Sequence, residues 1–211
     1  MCYLPKNKER GFTIVELLIA MTIGLIIMAA LSSTFFMQRK IYDVQDQVVE
    51  MVQNARVAMD MLTREIRMAG YDPMGTGLFM FQFSDSEDRK TDMNNIAFTY
   101  DESGDGIQDY NDKEQIAFRL QDGILKLFST GAIHWQPVAE NIDTLEFTYT
   151  LRDDVTVSTP TAEQVLNIAK VDIKITARTT KPDPDYTHPT YGDHYRRYTL
   201  TSVITPRNLN L

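Results

Sequence analysis

Residues 11–36, GFTIVELLIAMTIGLIIMAALSSTFF, are apolar on every side of any helix they form, and one acidic residue, Glu16, interrupts them. About 20 such residues carry a helix across the hydrocarbon core of a bilayer, so 12–36 are predicted to span a membrane. Beyond them polarity returns, but on one side only. Ile41, Val44, Val48, Met51 or Val52, Ala55, Met59, Leu62, Ile66 and Ala69 recur every three or four residues, with polar residues between them. That is the stripe of a half-buried helix. No proline lies between Pro5 and Pro73, and Gly70 followed by Tyr71, Asp72 and Pro73 is a stop signal. The pattern predicts one helix over 13–69, within a helical segment 12–70, on the order of 85 Å long. Its first half belongs in lipid and its striped half on a sheet.

From residue 74 onward the repeat shortens to two. Residues 96–100, 115–120 and 124–128 alternate, the last two joined by a tight turn at Gln121, Asp122 and Gly123. Leu145, Phe147, Tyr149 and Leu151 alternate with polar residues, as do Val171, Ile173, Ile175 and Ala177, and Tyr198, Leu200, Ser202 and Ile204 close the series. These runs predict an antiparallel sheet with one apolar face, covered by the helix stripe, and one partly wet face. The fold class is therefore α+β, with 71–211 as a single β-sheet domain. Segment 72–95 reads as a loop with a short edge strand at 78–83, and 181–195 as a second loop stiffened by prolines. His134 and Trp135 read as an exposed partner contact or as a half-buried tryptophan capping the sheet.

Charge gives the chain a direction. Lys6, Lys8 and Arg10 precede the apolar run and place residues 1–11 on the cytoplasmic side, with the C-terminal mass across the membrane. The 211-residue chain carries a net charge of −8, and without 1–11, which hold three basic and one acidic side chain, it carries −10. Such a balance argues against nucleic-acid contact. The only cysteine, Cys2, lies in the leader, so the remainder forms no disulfide. No nucleophile–base arrangement or nucleotide loop is present, and the chain reads as a non-enzyme.

Gly11, Phe12 and Glu16 fall in the register of a prepilin processing site, and the N-terminus resembles type IV pilins and type II secretion pseudopilins. The resemblance implies a pilin-like fold, cleavage after Gly11 by prepilin peptidase, and methylation of the new amine at Phe12. It also gives Glu16 an assembly role. A carboxylate inside lipid costs about 2.5–3.5 kcal/mol on insertion scales, and in the family it is thought to pair with the N-terminal amine of a neighbouring subunit. Residues 58–71 (AMDMLTREIRMAGY), 139–149 (AENIDTLEFTY) and 201–211 (TSVITPRNLNL) are similar to PilW-type minor pilins and J-type pseudopilins. The missing disulfide and the missing mid-membrane proline depart from the major pilins. The implied partners are other minor pilins or pseudopilins, the major pilin, the peptidase, an inner-membrane assembly platform and membrane lipid. The implied location is the bacterial inner membrane, single-pass, and then the tip of a pilus or pseudopilus.

One further constellation invites a ligand. Asp101, Ser103, Asp105 and Gly106 partly match the opening of a calcium loop, and Asp109 and Asp112 fall at its ninth and twelfth positions. Serine in the third place and aspartate in the twelfth depart from the pattern. The segment thus reads as a candidate calcium site or as an acidic hairpin loop kept soluble by its charges. His188, Asp193 and His194, near Asp183 and Asp185, match no zinc spacing and read as a solvated loop. Three functions follow as expectations: a PilW-type minor pilin that initiates or caps a type IV pilus, a J-type minor pseudopilin of type II secretion, or a membrane-tethered calcium- or ligand-binding module.

Overall fold

The computed structural model describes residues 11–82, 89–109, 113–130, 132 and 134–209. Two compact units divide the chain, Met1–Asp46 and Gln47–Leu211. Helix α1, Ile14–Met68, runs through 55 residues, beside the expected 13–69. In the first unit residues 11–43, which hold the apolar run, are exposed without exception among the described residues. The helix is long and apolar enough to cross a membrane.

In the second unit α1 buries one face. Met51, Ala55, Ala58, Met59, Leu62 and Ile66 are buried, and Ala69 continues the stripe beyond the last turn. The stripe begins later than its periodicity suggested: Ile41 is half exposed, and burial sets in around Val48. Here the loop after the long strands reaches the helix, where the Lys181 N–H donates to Gln47 Oε1 at 2.9 Å and the Thr180 hydroxyl to Glu50 Oε1 at 3.4 Å. The helix stops at Gly70, whose φ of +73° suits glycine, and a Cβ there would run into the Leu209 side chain.

Among the described residues the strands form two four-stranded antiparallel sheets, where one sheet was expected. The first is a meander of β1 (Asn95–Thr99), β2 (Gln115–Gln121), β3 (Ile124–Ser129) and β4 (Gln136–Ala139), in that order. The second contains β5 (Ile142–Leu151), β6 (Thr156–Val157), β7 (Ile168–Arg178) and β8 (Arg197–Ile204), ordered β6-β5-β7-β8. A short helix, α2 (Ala162–Val165), precedes β7. The division has a local cause. Pro137 in β4 has no N–H to offer a further strand, so the first sheet ends there. Asn141, at φ +58°, then turns the chain away, and β5 takes β7 as its partner, with Phe147 opposite Ile173. The expected turn between β2 and β3 is present, with Asp122 and Gly123 both at positive φ, as a two-residue hairpin requires. At the expected 78–83 strand there is a lone bridge, Phe81 to Phe98; Phe83 lies outside the described residues.

Both sheets contribute to one core. Phe98 and Phe118 from the first sheet, and Phe147, Tyr149 and Ile173 from the second, join Leu62 and Ile66 of α1. Each such side chain contributes about 1.5–3 kcal/mol on burial. The Tyr149 hydroxyl donates to the carbonyls of Asp92 (2.8 Å) and Asn95 (3.1 Å), tying the second sheet to the start of β1. Burial pushes that phenol well above its ordinary pKa, so it remains a donor.

Candidate assembly site

Gly11, Phe12 and Thr13 precede the first turn of α1, and Phe12 is 91 % exposed. Exposed backbone outside the helix is what a peptidase requires of any bond it cuts. Three residues on, Glu16 is held by its own helix. The Thr13 N–H and the Thr13 hydroxyl both donate to Glu16 Oε2 at 2.9 Å, and the Glu16 N–H donates back to Thr13 Oγ1 at 3.3 Å. This is a capping box, and it satisfies two backbone donors that a helix start otherwise leaves open. An acid in the first turn also meets the positive end of the helix dipole. The Thr-x-x-Glu spacing is present in the sequence, where the family resemblance points Glu16 to a partner on another chain. The structure supplies Thr13.

The second constellation lies in the loop between β1 and β2. Asp101 is fully buried, and its Oδ1 accepts from the Gly104 N–H at 2.6 Å while Oδ2 accepts from the Gly106 N–H at 2.9 Å. Ser103 Oγ stands 3.3 Å from Asp101 Oδ1 and 3.2 Å from Glu114 Oε1, placing its hydroxyl between the two carboxylates. One carboxylate oxygen from each of Asp101, Asp105 and Glu114 falls within 4.8 Å of the others. Asp101, Ser103 and Asp105 of the predicted set are thus brought together. Asp109 reaches the group through its N–H, which donates to Glu114 Oε2 at 2.6 Å, and is not among the converging carboxylates. Asp112 lies outside the described residues.

Glu114 was missed. Counting positions from Asp101 led to residue 112, whereas the chain delivers its longer carboxylate immediately before β2 begins at Gln115. A second signal was available: an acidic residue at the mouth of a buried strand is costly unless something satisfies it. Asp101 and Glu114 are both fully buried, and neither forms an ion pair with a lysine or arginine among the described residues. All-oxygen donors of this kind suit a hard cation such as calcium.

The remaining candidates are structural. Asp183 pairs with Arg196 (2.8 Å), and Asp193 with Arg197 (2.7 Å), whose guanidinium also reaches Asp143. His188 Nδ1 accepts from the backbone of Thr190 and Tyr191, so it shapes its own loop. Trp135 is half-buried, with the Arg119 guanidinium 4.1 Å from its ring centre and Phe128 at 5.6 Å.

Comparison with known proteins places this geometry. A profile of the prokaryotic N-terminal methylation motif matches residues 6–32, across Gly11, Phe12 and Glu16. Among solved structures, a type IV-like pilin, TTHA1219 from Thermus thermophilus, is similar at 12 % identity and a TM-score of 0.47, covering 75 % of this chain and 97 % of its own. No protein of curated function matches. The family described as prepilin peptidase-dependent protein B matches residues 45–202, from the striped half of α1 into β8. With an exposed junction at Gly11, an apolar helix behind it and a helix-on-sheet domain after it, the chain belongs to the prepilin peptidase-dependent protein B family, within the type IV pilin-like proteins.

Proposed function

We propose that this chain is a minor pilin of the PilW type, which initiates or caps a type IV pilus within a tip complex of minor subunits. One observation carries the reading: a processing junction and a helix apolar on every side stand on the same chain as a finished domain that leaves that helix bare. Such a helix needs a lipid bilayer first and the packed helices of neighbouring subunits afterwards. On this reading the leader stays in the cytoplasm, the helix crosses the bacterial inner membrane once, and the domain lies outside it. Prepilin peptidase cuts after Gly11 and the Phe12 amine is methylated. Glu16 then pairs with the amine of a neighbour, so that its charge is satisfied at one axial offset. Other minor subunits, the major pilin and the assembly platform are the partners. A J-type pseudopilin of type II secretion would use the same chemistry, and the resemblance of residues 58–71 and 201–211 supports the pilus reading first.

The test is Glu16→Ala in the native host. The variant is expected to insert and to be processed at Phe12, yet to be missing from sheared filaments that contain the wild type. Its normal incorporation would end the register role. Recovery of the wild-type chain with secretion components, and not with pili, would favour the pseudopilin.

For the acidic loop the proposal is a calcium ion held by Asp101, Asp105 and Glu114. Its support is the convergence of three carboxylates, two of them buried and, among the described residues, without an ion pair to lysine or arginine.

A further inference from the structure

At the end of α1, on the side away from the core, Arg64, Arg67 and Arg207 line one open cleft of about 600 Å³ with Asp60, Thr63, Met68, Tyr71 and Asn208. Arg207 is brought there by its backbone N–H, which donates to the Arg67 carbonyl at 3.4 Å. Arg64, Arg67 and Arg207 are exposed, and among the described residues none of the three forms an ion pair. This sets them apart from Arg178, Arg196 and Arg197, which all meet aspartates. Three guanidiniums against the one carboxylate of Asp60 leave this cleft with a surplus of positive charge, in a chain whose net charge is −8. A fold that merely needed solubility would have no use for that arrangement.

We infer that this cleft docks a carboxylate-bearing surface of a neighbouring pilin-fold subunit. The inference rests on the filament-subunit reading above and names the contact that the reading leaves open. The lining supports a protein partner. Arginine, tyrosine and methionine are the residues enriched at protein interfaces, and the planar guanidinium fork fits a carboxylate in two-point contact. The same chain shows that this fold presents a surface of the opposite balance: Glu65 and Glu102, against the single cation Lys113, line a cleft of about 750 Å³ with Tyr100, Ile116 and Leu127. Neither glutamate there forms an ion pair among the described residues. A basic cleft on one subunit meeting an acidic one on the next is a head-to-tail contact, the kind that builds open helical assemblies.

The experiment places a photo-cross-linking amino acid at Thr63 of the full chain in its native host, with the same probe at Leu25 of the apolar helix as a control. The Thr63 probe is expected to give an adduct with another pilin-fold subunit, mapped by mass spectrometry to a peptide containing aspartate or glutamate. Replacing both helix arginines, Arg64→Glu with Arg67→Glu, is expected to lower that yield about tenfold and to leave the Leu25 adduct unchanged. Arg64→Lys with Arg67→Lys, which keeps charge and loses the fork, is expected to fall between. A pilin-fold adduct at Leu25 with none at Thr63, an adduct at Thr63 to lipid alone, or a yield indifferent to charge reversal overturns this contact and leaves the filament reading standing. Absence of any pilin-fold adduct at either position overturns the filament reading and this contact with it.

Discussion

The two halves of α1 are both rich in aliphatic side chains, yet they are answered in opposite ways. Leu17, Leu18, Ile19, Ile23, Leu25 and Ile27 are more than half exposed, whereas Leu62 and Ile66 are fully buried. The upper half is specified by shape: Ala55 and Ala58 admit close approach where a larger residue would not fit. The lower half, through Phe36, is specified by being apolar on every side around the single acid Glu16. One half is finished within its own chain, and the other is finished by its surroundings. Substitutions should therefore act on folding in one half and on processing and assembly in the other.

The largest effect expected is all-or-none. Gly11→Ala should abolish cleavage, so that mass spectrometry finds the leader still attached in the mutant; a mature chain beginning at Phe12 would break the assignment of the first half. Next, Leu62→Ala should cost about 2–5 kcal/mol of stability, while Leu25→Ala should change it by no more than about 0.5 kcal/mol. Thermal unfolding of the full chain in detergent reads both, and equal effects would erase the contrast. The comparison extends to the two carboxylates, Glu16 at the exposed end and Glu114 in the folded unit. Calcium at millimolar concentration should raise the unfolding temperature of the wild type, and Glu114→Gln should remove the rise; absence of any shift in the wild type would retire the site. A smaller step is expected for Tyr149→Phe, about 1 kcal/mol, from two hydrogen bonds to backbone carbonyls.

The smallest effect concerns the 181–195 loop. Hydrogen bonds from Arg197 hold Asp193 down to a pKa of about 2, below the ordinary 3.8. A depressed carboxylate contributes stability that is complete above its unfolded pKa and is lost as pH falls through its folded one. The loop's anchoring should therefore persist down to about pH 4 and weaken between there and pH 2. Hydrogen exchange at Tyr195 follows it, and loosening already at pH 6 would contradict the pairing.

Much of this was readable from periodicity. The end of α1 announced itself through Gly70 and Pro73, and β1, β2, β3, β5, β7 and β8 through alternation long enough to register. The two-residue β6 and the single-turn α2 are too short to show a period. The split into two sheets depended on Pro137 and Asn141, whose consequences appear only when strand partners are known. At the acidic loop a spacing template located Asp101, Ser103 and Asp105 but missed Glu114, because convergence there comes from the meeting of two strands and not from counting along one segment. At the N-terminus the Thr13–Glu16 pairing was legible and was passed over in favour of a partner on another chain.

That clip has a dynamic consequence. On the proposed reading it lies wholly downstream of the bond that is cut, so removing the leader would not undo it. On that reading the Thr13 donors hold the Glu16 carboxylate while the subunit waits in the bilayer, and the counter-charge that Thr13 does not supply arrives with the neighbour's amine. A local hold of this kind lowers the cost of waiting and leaves intact the reason to join.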